Sequence, residues 1–216
     1  MVSVVNDQRH SGGGFNVPEP TTKGGPDFGR FVAGVRRLQD HARTIDAPDE
    51  VITEAADLLD KLSALLTPYD GDEWTTPSGR RFDLPNRGGV LGVPSELAKT
   101  GENEVSGPVR FNRFYLGRNG AAHGGSLGLL FDSVLGYTAA VLTGGMHQRT
   151  AFLHVDYRKI VPVEKTLRVQ ARLAGEEGRK IFVEASLYDD DDPGQAGAVL
   201  LAESHALFVK LKPGQP

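Results

Sequence analysis

The sequence predicts an α+β fold in which an antiparallel sheet curls around one long helix, preceded by a helical extension. Residues 125–142 are apolar on nearly every face, as expected for a helix inside a core. After this helix the hydrophobic period changes from about 3.6 to about 2 residues, and strand-like segments follow without helices between them. Consecutive strands of this kind favour antiparallel pairing over a doubly wound parallel sheet.

The N-terminal half predicts a tail and then a helical extension. Residues 1–26 are rich in glycine and proline and lack apolar periodicity, so we expect a disordered tail. Two amphipathic helices should follow, the second after Pro48, and then a segment rich in proline and glycine. We assign this extension to residues 27–107. Its apolar residues at helical spacing are Phe28, Phe31, Val32, Val35 and Leu38, then Val51, Ile52, Ala55, Leu58, Leu59, Leu62, Leu65 and Leu66.

The C-terminal half, residues 108–212, predicts the sheet and its central helix. We expect an early strand at 109–115, and Gly144 and Gly145 should end the helix. Alternating apolar residues predict strands at 150–157 and 198–210. They also predict a hairpin of 167–173 with 181–187. An acidic loop at 189–192 precedes the last strand.

Composition excludes several classes of function. The formal charge of −4 includes no basic stripe, so we expect no nucleic-acid partner. There is no cysteine, and the six histidines lack metal-ligand spacing, so neither a metal nor another cofactor is expected. No signal pattern is visible, and the apolar stretch carries His123, Asp132 and many glycines, unlike a membrane span. We expect a cytoplasmic protein.

Asp132 is the first candidate for chemistry, because an ionised group on so apolar a helix is costly unless it is paired or used. Gly125, Gly128 and Gly136 fall on the same helix face and would leave a groove beside the carboxylate. The helix N-terminus at Gly124 and Gly125 offers free N–H groups about 10 Å away, which can hold a developing oxyanion. Alternatively, Asp132 bonds a backbone or hydroxyl group, and the glycines only permit close packing.

Other motifs near this helix have weaker interpretations. His123 could contact substrate or only cap the helix. Residues 124–128 match the nucleophile elbow of serine hydrolases around Ser126, but no hydrophobic strand precedes them, which disfavours an esterase. The basic pairs at 158–159 and 179–180 are typical of solvated surface, although they could bind phosphate.

These motifs together resemble the hotdog-fold acyl-CoA thioesterases of the PaaI/THEM kind, over residues 109–211. The resemblance rests on the segment 119–125, on Asp132 nine residues after His123, and on a strand led by Thr150. It implies a sheet wrapped around the helix. It also implies a homodimer, often paired again into a tetramer, with active sites at the subunit interface.

The resemblance also implies roles for individual residues. Asp132 would be the general base or the nucleophile, and the Gly125 N–H would polarise the thioester carbonyl. His123 would help to place the thioester. Thr150 matches a hydroxyl that in some members comes from the opposite subunit and orients water or the carboxylate.

Substrate contacts are implied less directly. Many members carry an asparagine six residues before the histidine, where this chain has Gly117, while Asn119 lies four residues before it. We take Asn119 and Gly124 as candidates for contact with the acyl group. The phosphates of coenzyme A require positive charge at the pocket mouth, for which Lys159, Arg179 and Lys180 are the candidates.

The sequence therefore predicts hydrolysis of acyl-CoA to a free acid and CoA, with a place in fatty acid metabolism. One alternative is a non-catalytic acyl-CoA-binding or regulatory module of the same fold, and another is a hotdog hydratase. The acyl chain is left open, because the aromatic candidates for its pocket are equally suited to the core. These are Phe131, Tyr137, Phe152 and Phe182.

Overall fold

The computed structural model describes residues 19–72, 74–145, 147–191 and 197–212. Within them the chain divides into two units. One unit, here called the sheet unit, contains residues 92–111 and 115–212. The other, the helical unit, contains residues 19–91 and 112–114. The predicted tail falls largely on residues 1–18, which lie outside the described residues, and the predicted domain boundaries remain predictions.

The sheet unit is built on six antiparallel strands in the order β1-β2-β4-β5-β6-β3. Strand β3 therefore lies at one edge of the sheet, beside only β6. The strands are β1 Ala98–Gly101, β2 Glu104–Arg110, β3 Gln148–Tyr157, β4 Thr166–Glu177, β5 Lys180–Asp189 and β6 Val199–Lys210.

Alternation in the sequence explains which side of the sheet forms the core. Along β5 every second residue is buried, from Ile181 to Asp189, and the residues between them face outward. Strands β4 and β6 bury their apolar residues on the same side. The predicted hairpin is β4–β5, and both strands run longer than predicted, so that only Gly178 and Arg179 connect them.

The predicted central helix is α3, Gly124–Thr143, which packs on strands β2 to β6. One side of α3 supplies the centre of the core with Leu127, Leu130, Phe131, Val134 and Leu135. The helix ends as predicted, because Gly144 takes the left-handed conformation, φ 72°, that a C-terminal cap of this kind requires.

The early strand lies further N-terminal than predicted. Strand β2 covers Glu104–Arg110, whereas Arg113–Tyr115 forms a short helical turn. The predicted position of this strand was wrong because β2 contains Gly107 and Pro108, which are unfavourable strand residues. Gly107 is required here: a Cβ atom at that position would lie 1.9 Å from the carbonyl oxygen of Glu96.

The helical unit contains both predicted N-terminal helices, α1 Phe28–Thr44 and α2 Asp49–Leu66. Its connecting loops are held by Arg81, which is 5% exposed. The Arg81 guanidinium donates to both carboxylate oxygens of Asp83 and to the carbonyl oxygens of Lys23 and Gly25. One arginine therefore satisfies acceptors from two separate chain segments.

Helix α3 is also the single described helix that is long and apolar enough to cross a membrane, judged by length and composition. Its apolar character has a local explanation, because the sheet packs against one of its sides.

Candidate active site

The structure brings Asp132 and Thr150 together. Thr150 Oγ1 on β3 donates a hydrogen bond to Asp132 Oδ1 on α3, at 2.9 Å, within the same chain. The hydroxyl thus comes from the same chain as the carboxylate. This bond fixes the direction in which the other carboxylate oxygen points, because a paired carboxylate loses rotational freedom.

Asp132 is exposed in the single chain, which differs from the core position expected from the apolar pattern. The reason is that the sheet covers only one side of α3. Its other side carries Gly125, Leu129, Asp132, Ser133 and Val141, all of them exposed. Sequence periodicity could not detect this open side, since much of it is formed by glycine and aliphatic residues.

The glycines on the open side of α3 leave space beside the carboxylate. A Cβ atom added at Gly128 would meet no other described atom within 4 Å. At Gly136 it would lie 3.6 Å from Phe208, which is ordinary van der Waals contact. Close packing within this chain therefore accounts for neither glycine, and Gly128 faces open space one turn from Asp132.

The start of α3 is organised by its cap. His123 Nδ1 accepts a hydrogen bond from the Gly125 N–H at 3.0 Å, as an N-cap side chain does. Ser126 is buried, and its hydroxyl donates to the His123 carbonyl oxygen at 2.6 Å. Ser126 is thus part of the helix start, in agreement with the argument against an esterase. The Gly125 N–H, predicted to polarise a carbonyl, is bonded to His123 in this structure.

Tyr157 contacts the start of α3, although the sequence predicted only that it lies at the end of the strand 150–157. Its hydroxyl donates to the carbonyl oxygen of Gly124 at 3.0 Å and so ties the end of β3 to the start of α3. The available signal was its position: Tyr157 ends the alternating run that faces the helix, and tyrosine carries a polar tip on an apolar ring.

The loop before His123 leaves little room for a side chain at residue 117. A Cβ atom at Gly117 would lie 3.1 Å from His123 Cα and 3.3 Å from His123 N, so an asparagine there would be crowded. Asn119 instead occupies the tip of the turn in the left-handed conformation, φ 54°. Asparagine tolerates this conformation well, so the turn alone accounts for its presence.

The three cationic candidates do not form one cluster within a chain. Lys159 donates its N–H to the Leu201 carbonyl oxygen near the start of β6, whereas Arg179 donates to the Lys210 carbonyl oxygen at its end. These positions are about 30 Å apart along the strand. Lys180 pairs with Val209 and also lies at the end of β6. Lys159 shares the end of the sheet where Tyr157 meets Gly124.

The aromatic candidates divide between the core and the surface. Phe131 is fully buried in the core, and Phe152 is 46% exposed with its ring edge against His205. Tyr137 and Phe182 are half-buried. Among the described residues, no three histidine or carboxylate side chains are arranged to hold a metal ion.

Comparison with known proteins extends this picture. Residues 119–196 match the family model described as Thioesterase superfamily. The match contains His123, Asp132 and Thr150, the residues whose geometry is given above. This part of the chain is therefore similar to the domain of the thioesterase superfamily. The resemblance to hotdog-fold thioesterases that the sequence indicated is therefore confirmed.

Two curated relatives of the thioesterase-superfamily domain are acyl-coenzyme A thioesterase THEM4 from Xenopus laevis and from Rattus norvegicus. The first is 35% identical over 97 residues, which are 45% of this chain and 40% of the relative. The second is 33% identical over 100 residues, 46% of this chain and 40% of the relative. This chain thus spans about two fifths of the length of the curated relatives that it matches.

A solved structure supports the fold of a larger part of the chain. The crystal structure of a thioesterase superfamily protein matches with a TM-score of 0.70 and 24% identity, and the match covers 90% of this chain and 98% of that one. The predicted hotdog fold is therefore confirmed, with its antiparallel sheet, central helix and N-terminal helices.

Proposed function

We propose that this protein hydrolyses acyl-CoA thioesters to a free acid and CoA. One observation carries the proposal: the exposed Asp132 carboxylate accepts a hydrogen bond from Thr150 and lies one turn from the open space at Gly128, on a helix that begins after His123 with Gly124 and Gly125. The curated names of the THEM4 relatives support the same activity.

The reaction needs a base and a site for an oxyanion. With Asp132 as general base, its free oxygen takes a proton from water while the water oxygen attacks the thioester carbon. The carbonyl oxygen becomes an oxyanion. The carbon–sulfur bond then breaks, and the CoA thiolate takes the proton from Asp132. If Asp132 attacks the thioester carbon directly, the carbon–sulfur bond breaks, the CoA thiolate leaves and a mixed anhydride forms; water then hydrolyses the anhydride to the free acid and restores the Asp132 carboxylate.

The start of α3 is the proposed oxyanion site, because N–H groups and the positive end of the helix dipole meet there. Among the described residues, none accepts a hydrogen bond from the Gly124 N–H. The Gly125 N–H is bonded to His123, so the substrate carbonyl would have to replace that bond. In this proposal His123 either contacts the thioester or controls access to the Gly125 N–H.

We propose that the active unit is a homodimer formed through β3, with a dimer of dimers as a further step. Strand β3 is an edge strand, and Arg149, Thr150, Ala151 and Phe152 are exposed in the single chain. Exposed edge strands readily pair with another chain. Leu129 and Val141 are also exposed on the open side of α3, so a partner there would shield Asp132 from water.

A dimer also bears on how CoA phosphates would be held. Lys159 and the pair Arg179–Lys180 lie at opposite ends of β6, so one bound CoA would use one of these groups or draw them from two subunits. Asn119 and Gly124 remain proposed contacts of the acyl group. The cytoplasmic location and the role in fatty acid metabolism are likewise proposals from the sequence.

The test is release of free CoA, followed with a thiol reagent, from short, medium, long and aryl acyl-CoAs. Wild type and Asp132→Asn are compared, with Ser133→Ala as the control on the neighbouring exposed position. We expect Asp132→Asn to fold normally and to lose most turnover, while Ser133→Ala keeps it. Acyl-CoA binding without hydrolysis in wild type would instead favour the non-catalytic module, and hydration of an enoyl-CoA would favour the hydratase.

A further inference from the structure

Helix α2 has no buried side chain in the single chain, although one of its sides is strongly apolar. Its exposed aliphatic residues include Leu58, 58% exposed, and Leu65, 66% exposed. Most of the stability of a protein helix comes from packing of its apolar side rather than from helix propensity alone. A helix of this composition therefore needs a partner surface that the single chain does not supply.

The spacing of the apolar residues indicates that the partner is another helix. Along α2 they recur at alternating intervals of four and three residues, at Val51, Ala55, Leu58, Leu62 and Leu65. Along α1 the intervals are three and four, at Phe28, Phe31, Val35, Leu38 and Ala42. This heptad pattern is the signature of helices that pack side by side with small crossing angles.

Helix α1 borders an apolar groove that could receive side chains of another helix. The groove has a volume of about 500 Å³, and its floor is formed by Phe31, Val35 and Leu38 of α1 with Leu62 of α2. Phe31 and Leu38 are each 42% exposed. Leu62 lines the same groove and is itself 37% exposed, so much of both apolar seams is uncovered.

The charges of the two helices are complementary. Helix α1 carries four arginines and one aspartate, whereas α2 carries five acidic residues and one lysine. An acidic helix is repelled by anionic lipid, which argues against a membrane as the partner. A second copy of the chain supplies an oppositely charged partner for each helix, because a two-fold axis would place α1 on α2 of the partner and α2 on α1 of the partner.

We infer that α1 and α2 pair with the same two helices of a second copy to form a four-helix bundle. The lengths agree, since α1 has 17 residues and α2 has 18. Apolar contact along the seams would provide most of the stability, and the opposite charges would select the α1–α2 pairing over like pairs. This interface is separate from the pairing proposed for β3 and does not depend on the thioesterase reaction.

Disulfide trapping in the full chain tests the arrangement, because the protein contains no cysteine. Two differently tagged full-length chains are co-expressed, one with Leu38→Cys on α1 and the other with Leu58→Cys on α2. Each chain then holds a single thiol, so any disulfide joins two copies. The matched control pair is Ala33→Cys with Asp60→Cys, exposed positions on the opposite faces of the same helices.

We expect the seam pair to give a heterodisulfide at a yield several-fold above that of the control pair after oxidation, measured by mass spectrometry. Seam cross-linking at the control level would overturn the proposal, as would cross-linking only between two α2 helices. Hydrogen exchange on the wild type provides a second, independent reading. Amides of α2 that exchange as fast as those of an unfolded peptide would also overturn it.

Discussion

Thr150 Oγ1 lies 2.9 Å from Asp132 Oδ1, and this single bond joins the edge strand β3 to the middle of helix α3. A hydrogen bond to a charged group contributes about 1.5–3 kcal/mol, so its loss should be visible in the rate. The bond also connects the proposed catalytic group to the strand that we propose to form the dimer.

Replacing Thr150 tests whether this bond orients the carboxylate. We expect Thr150→Val to lower kcat for acyl-CoA hydrolysis by about tenfold to a hundredfold, because the lost bond corresponds to one or two powers of ten in rate. Thr150→Ser should keep most of the activity. As a control, Thr143→Val removes a hydroxyl that bonds only to its own helix, and should not change the rate. Equal rates for the valine and serine variants at position 150 would show that the Thr150 hydroxyl does not orient the carboxylate.

Replacing Gly128 should raise folding stability while weakening substrate binding. Gly128→Ala has space for its Cβ and should stabilise the helix by about 1 kcal/mol, as alanine does relative to glycine in helix interiors. If substrate occupies the open space at Gly128, the same methyl group should raise KM severalfold. The comparison variant is Gly136→Ala, which gives a similar gain in stability without a change in KM. The two properties are measured by chemical denaturation and by CoA release, and an unchanged KM for Gly128→Ala would place the substrate elsewhere.

His123 should reveal whether its role is capping alone. His123→Ala removes the N-cap acceptor and should cost about 1 kcal/mol of folding stability. Asparagine is a good N-cap residue, so His123→Asn should recover the stability. We expect His123→Asn to remain at least tenfold less active than wild type in CoA release, since the imidazole is proposed to act on the thioester. Full activity of the asparagine variant would show that His123 acts only as the N-cap of the helix.

Asp83 should make the helical unit sensitive to acid. The Arg81 guanidinium donates two hydrogen bonds to Asp83 and holds the pKa of that carboxyl below its ordinary value of about 4. A lowered folded-state pKa contributes stability above the unfolded pKa, and this contribution is lost as the pH falls through the folded pKa. Asp83→Asn should therefore lower the melting temperature at pH 7 and differ less from wild type as the pH falls below about 4.

The measurement for Asp83 is thermal unfolding followed by fluorescence of Trp74, the only tryptophan of the chain, which lies in the helical unit. Asp27→Asn is the control, because Asp27 forms an exposed ion pair with Arg30 and such pairs contribute little. A difference between wild type and Asp83→Asn that stays constant from pH 7 to pH 3 would contradict the pKa argument.

Most of the fold could be predicted from the sequence, since its elements have strong local signals. The period-2 alternation located β3, β4, β5 and β6, and Gly144 marked the end of α3. The exceptions were β1, Ala98–Gly101, which was not predicted, and β2, where Gly107 and Pro108 weaken the strand signal and a contact with the Glu96 backbone determines the residue type. Such a contact between distant segments leaves no local trace.

The candidate site was predicted in part. The apolar run identified the helix and made its single carboxylate, Asp132, the first candidate, and the family resemblance added Thr150. The contacts around the helix start were not predictable: the bond from Gly125 to His123 and that from Tyr157 to Gly124 depend on side-chain orientation. Lys159 and Arg179 were grouped from their charge, but strand direction sets them at opposite ends of β6.

The sequence by itself determined the order and type of most elements, because hydrophobic period and glycine positions act over a few residues. Only the tertiary structure decided which side of each element is covered. The apolar run of α3 predicted burial all round, yet the sheet covers one side and leaves Asp132 exposed and the space at Gly128 open. Likewise, the apolar side of α2 is uncovered in the single chain. An apolar pattern indicates that a surface avoids water, whereas the arrangement of chain segments and copies decides what covers that surface.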